Sequence, residues 1–148
     1  MSKILAFLVL LPLIVLLLLK AVAFYEYDTK QRYIKNILDT VAYKVKITGV
    51  LTAEECLDIR DRLNKLARFD GDCIKMSYGT CENGLISDNL QAYTEGNVLY
   101  KGEVFDIYVK SADVSNLSML YNLGVSEDES KNLRYVAKAV CRVEYSSP

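Results

Sequence analysis

The chain has 148 residues, 51% of them hydrophobic, with a formal net charge of −1 and no histidine. That balance offers no basic surface for nucleic acid, and the missing imidazole removes the commonest general base and most hydrolytic triads. Beyond residue 25 roughly 120 residues remain, enough for one compact domain.

Residues 4–25 read ILAFLVLLPLIVLLLLKAVAFY, 22 residues interrupted by one charge, Lys20. As a helix this run is about 33 Å long, the thickness of a bilayer's hydrocarbon core. Lys20 lies near its end, where the stem stays in lipid while the ammonium reaches the headgroups. Phe24, Tyr25 and Tyr27 follow, the aromatics expected at a membrane–water boundary. Pro12 costs a backbone hydrogen bond but is tolerated in membrane helices. The competing reading is a secretory signal cleaved after Ala21-Val22-Ala23. Against it stand Lys20 just before the small residues, a long apolar core, and a helical pattern that continues past the site. An uncleaved anchor is therefore expected, with residues 1–25 as the transmembrane helix and 26–148 as the domain.

Past the anchor, Phe24, Tyr27, Gln31, Ile34, Leu38, Val41 and Val45 recur at spacings of three and four, an apolar stripe on one helix face. Gly49 is suited to the left-handed position that ends a helix. The stripe is expected to pack partly on the protein's own sheet. Its membrane-proximal part, Tyr27, Gln31 and Ile34, is expected to remain for another subunit, with Gln31 setting register. Tyr27, Gln31, Ile34, Leu38 and Val41 thus form the candidate assembly seam.

Thr52-Ala53-Glu54-Glu55 spells a capping box. It opens a second helix with Cys56, Ile59, Leu63 and Leu66 on one face, predicted to end near Arg68. Strands follow: residues 73–78, a turn over 79–84 with Asn83-Gly84 at its tip, and a hairpin joining 98–100 to 103–110. The segment 85–96 is ambiguous, and 111–132 is predicted as loop or a short helix. From 133 to 145, apolar and mostly charged residues alternate, giving a strand with one face on a core and one in water. The fold class is α+β.

Chemistry is sparse. Glu103 and Asp106 are not in period-two alignment and should point to opposite strand faces, which does not support an acid/base pair. The acidic run Glu127-Asp128-Glu129 reads as a solvated loop. The four cysteines, Cys56, Cys73, Cys81 and Cys141, suit two disulfides in an exported domain. Cys73 or Cys81 is expected to bridge to Cys141 and Cys56 to join helix to sheet, with Cys73–Cys81 as the local alternative. No catalytic, cofactor or metal residue is identified. Lys30, Arg32, Lys35 and Lys44 follow the span while Lys3 precedes it, so a positive-inside count keeps the domain in the cytoplasm. The cysteines argue for export, and long domains translocate regardless of nearby charge; the topology expected is N-terminus in, domain out.

The order of membrane helix, amphipathic extension, short helix and small sheet resembles pilin-like proteins, most closely the minor pilins of the tight-adherence (TadE) type. The resemblance is carried by the apolar segment Phe7-Leu-Val-Leu-Leu-Pro12-Leu-Ile-Val-Leu-Leu-Leu-Leu19, by Phe24-Tyr25, and by Lys30-Gln31-Arg32. The stretch Lys44-Val-Lys-Ile-Thr-Gly49, together with Ala137-Lys-Ala and Val143-Glu144-Tyr145, is also similar to a small Gram-positive family of the same layout. The resemblance implies a structural, non-enzymatic subunit of a surface filament, secretion or conjugation apparatus, partnered by other pilin-like subunits or assembly-platform proteins. Type IV-like prepilins carry a Gly before the cleavage point and a Glu near the fifth mature position, and residues 1–6 have neither. That departure favours a membrane-resident accessory component over a major subunit. The alternative class is an extracellular binding module using its sheet and acidic loop.

Overall fold

The structure is a computed structural model that describes residues 2–82, 85–86, 90–122 and 132–144, with the side chains of 2–6, 81–82, 85–86 and 122 outside that description. Helix α1 spans Ser2–Thr48 without a break, about 70 Å at 1.5 Å per residue. Residue 25 marks no boundary within it. The helix ends as the sequence predicts, with Gly49 at φ 69° and its N–H on the Val45 carbonyl. Helix α2, Ala53–Asn64, begins with the full capping box between Thr52 and Glu55. Its buried face is Cys56, Ile59 and Leu63.

α2 stops short of Arg68. The Asn64 side-chain oxygen accepts the Phe69 N–H at 2.8 Å, and this tight exit turns Phe69 into the core. A 3-10 turn at Gly71–Cys73 leads into β1, Ile74–Glu82. The predicted turn over 79–84 is corrected in its first half. Gly79 and Thr80 pair with Val104 and Glu103, so a cross-strand partner overrides the local turn signal. Asn83-Gly84 lies outside the described residues. Short β2, Leu85–Ile86, and β3, Gln91–Ala92, both pair with β1.

Strand β4, Glu103–Val114, pairs antiparallel with β1 on one side and β5, Arg134–Arg142, on the other. The sheet order is β2-β1-β4-β5. The predicted hairpin with 98–100 does not form. Leu99 is buried and its N–H goes instead to the Gly49 carbonyl at 2.7 Å, tying that segment to the end of α1. Between 111 and 132 the structure places the end of β4 and a short helix α3, Asn116–Asn122. Ser115 accepts from the Ser118 N–H. The acidic run 127–129 lies outside the described residues.

The core sits between one face of α1 and the sheet. Ile34, Leu38, Val45, Leu51, Leu63, Leu99, Phe105, Ile107 and Val109 are all essentially inaccessible. β5 alternates as predicted, with Tyr135, Ala137 and Ala139 buried. Tyr93 fastens the α1–α2 corner, accepting the Leu51 N–H at 2.9 Å and donating to the Asn97 carbonyl at 2.7 Å. Its ring meets Phe105 edge-on at 5.2 Å.

Candidate functional site

Three faces of α1 present three chemistries. Along the membrane-proximal half, the apolar side chains from Phe7 to Leu19 are 46–70% exposed. Nothing among the described residues covers them, and the helix is long and apolar enough to cross a membrane.

In the second half, one face belongs to the sheet. Tyr27 Oη donates to the Arg134 carbonyl at 3.3 Å, the Gln31 amide donates to the Val136 carbonyl, and Lys35 Nζ donates to the Lys138 carbonyl at 2.8 Å. The donors recur every four residues, about 6 Å along a helix. The acceptors recur every two, about 6.6 Å along a strand. The two elements thus run side by side in step, and α1 occupies the carbonyls of an edge strand otherwise open to foreign pairing. Tyr27 also stacks on Tyr135, centroids 5.2 Å apart. Ala137 and Ala139 leave room for Ile34 and Leu38 to seat close to β5.

This geometry corrects the expected seam. Ile34, Leu38 and Val41 are buried beneath the protein's own sheet, and Tyr27 and Gln31 are committed to β5. Ile34, Leu38 and Val41 are therefore out of a neighbour's reach, while Tyr27 and Gln31 are half-buried. Gln31 serves the strand edge instead of setting an intersubunit register.

The free face is the opposite one. Tyr25, Tyr33, Asn36, Thr40, Tyr43 and Ile47 are exposed and Thr29 is half-buried. At 100° per residue they fall within one sector that carries no charge, in line with Leu18 and Val22 below. Charged residues border it, and they are paired: Lys30 with Glu26 at 2.7 Å, Arg32 with Asp28 at 2.8 Å, Lys35 with Asp39 at 2.8 Å, and Lys44 with Glu55. Those pairs hold the carboxyls of Glu26 and Glu55 below their ordinary value, the Lys30 and Lys44 ammonium groups respectively being the main cause. Apolar periodicity does not reveal this stripe, because its members are mostly tyrosine and uncharged polar residues. Its signal was the absence of charge at positions 25, 29, 33, 36, 40, 43 and 47.

The cysteines do not form the expected bridges. Cys56, Cys73 and Cys141 are free thiols. Cys141 stands opposite Phe105 on β4, whose other neighbour is β1. Two strand spacings, about 9.5 Å, therefore separate β1 from β5, beyond the roughly 7 Å Cα reach of a disulfide. That register rules out Cys81–Cys141, and Cys73 lies farther off, beyond the Ile74–Val109 pair. Cys73 and Cys81 flank eight residue steps of extended strand, about 26 Å, so the local alternative fails too. Burial pushes the Cys141 thiol up to about 11.

Glu103 and Asp106 do separate. Glu103 accepts the Tyr100 N–H at 2.7 Å in the turn, while Asp106 pairs with Lys138 at 2.7 Å on the outer sheet face. Among the described residues no group of three or more His, Cys, Asp or Glu is placed to hold a metal ion. No family model, curated protein or solved structure matches this chain.

Proposed function

We propose that this chain is a single-pass, membrane-anchored structural subunit of pilin-like design, accessory to a surface filament, secretion or conjugation apparatus. The observation that carries the reading is α1 itself. One unbroken helix has a bare apolar half, and its other half spends one face on the sheet and leaves an uncharged face unused. The anchor joins the domain without a flexible tether, so the free stripe is presented at a fixed height and bearing above the membrane. Such a surface suits rigid stacking of subunits. The partners are other pilin-like subunits or platform proteins that lay a helix along Tyr25, Tyr33 and Tyr43.

An uncleaved anchor is supported by the helix running unbroken through Ala21-Val22-Ala23 to Thr48, where a cleavage site would sit in extended chain. The domain lies on the extracytoplasmic side with the N-terminus in the cytoplasm. A domain of this length translocates regardless of the positive residues after the span, and with Cys56, Cys73 and Cys141 free the orientation rests on the pilin-like design. Photoreactive residues at positions 33 and 43 should form adducts with a neighbouring subunit in intact cells. The same probe at Leu57, exposed on α2, should not. Equal labelling from all three positions, or none from 33 and 43, contradicts the assembly reading.

A further inference from the structure

We infer that the domain sits on the bilayer surface, with α3 lodged in the headgroup layer beside the exit of α1. The inference rests on α1 crossing a bilayer. Asn116, at the start of α3, donates to both carboxylate oxygens of Glu26 at 3.3 Å. Tyr121, near its end, has its ring 4.9 Å from the Lys20 ammonium. Between them, Leu117 and Ala23 are buried. α3 therefore runs back down α1 toward the membrane. Its seven residues span about 10 Å, and Lys20 to Glu26 covers about 9 Å.

The level at which α3 ends is the level at which the apolar run ends. Leu19 ends the uncharged stretch that begins at Ile4, and Lys20, the charge that interrupts the run, is the residue Tyr121 touches. On this level the protein exposes Val22 and Phe24 from α1 together with Met119 and Tyr121 from α3, each at least 43% accessible. In water these groups would form an unexplained apolar collar. At a headgroup boundary they are the side chains that interface chemistry selects. The Lys20 ammonium then lies between an aromatic face and lipid phosphates. The occupant is a phospholipid interface because the collar is continuous with the lipid-facing side chains of the span.

The chain has no tryptophan, so single-tryptophan variants of the full chain in phospholipid vesicles report depth directly. Tyr121→Trp is the probe, and Met119→Trp on the same helix repeats it. Leu16→Trp reports the anchor. Tyr100→Trp reports the far end, where Leu99 bonds to Gly49, about 43 Å up α1 from Lys20. Lipids brominated near the headgroup end of the chain should quench Tyr121→Trp and Met119→Trp and leave Tyr100→Trp bright. Quenching of Leu16→Trp without quenching at 121 and 119 overturns the inference and leaves the anchor standing. Blue-shifted emission at 121 that ignores bromine means a protein surface covers the site, which also overturns it. An unquenched Leu16→Trp removes the anchor, and the inference falls with it.

Discussion

Gln31 donates its side-chain amide to the main-chain carbonyl of Val136, 105 residues away. A polar residue in an otherwise apolar stripe is thereby explained by the strand edge it covers. Its Oε1 is buried without a partner among the described residues. Gln31→Met loses a bond but also removes that orphaned oxygen, so stability should change by less than about 1 kcal/mol. Gln31→Glu sets a carboxylate against a carbonyl and should cost about 1–3 kcal/mol. Urea unfolding of the two variants in detergent, read by circular dichroism, checks the contrast.

Leu38 is wholly buried between α1 and the sheet. Leu38→Ala should destabilise the domain by about 2–5 kcal/mol. Tyr43→Ala, on the free face, should fall within about 0.5 kcal/mol of the parent chain. Thermal unfolding of both separates the two faces of one helix.

How much of this was legible in the sequence depended on range. The length of α1, its Gly49 end, the capping box of α2 and the alternation of β5 each follow from residues within a few positions of one another. The strand order β2-β1-β4-β5 depends on partners far apart in the chain, and there local reading failed. Gly79 looked like a turn until Val104 lay opposite it. The seam depends on the same long-range pairing. Periodicity gives a face but does not name what covers it, and only β5's position shows that Tyr27, Gln31 and Ile34 are taken. The even cysteine count suggested bridges, but the register keeps Cys81 and Cys141 on strands that are not neighbours.

Acid should loosen the α1–α2 corner and the α1–α3 contact. Glu55 and Glu26 have carboxyls held below the ordinary 4.5. A depressed folded value contributes stability that is present above the unfolded value and lost as pH falls through the folded one. Stability should therefore be flat above about pH 4.5–5 and decline below it. Glu55→Gln should flatten part of that decline, which a pH series of melting temperatures would reveal.

The Cys141 thiol, pushed up to about 11 by burial, stays protonated at neutral pH and should alkylate slowly in the folded chain. Because its folded value is raised, neutrality of this group ceases to favour the fold as pH climbs from 9 toward 11. Iodoacetamide labelling with mass detection should find Cys56, Cys73 and Cys141 all modified after denaturation without reductant. Protection of any of them until reductant is added would contradict the free-thiol arrangement.

The free face of α1 carries the central claim, and adjacent residues on opposite faces test it most directly. Tyr33 is 57% exposed and Ile34 is 0% exposed. Tyr33→Asp should leave the melting temperature of the detergent-solubilised chain near that of the parent yet abolish co-purification of its partners from membranes. Ile34→Asp should unfold the domain itself. If Tyr33→Asp retains its partners at the parent level while remaining folded, the uncharged stripe is not an assembly surface and the account is wrong.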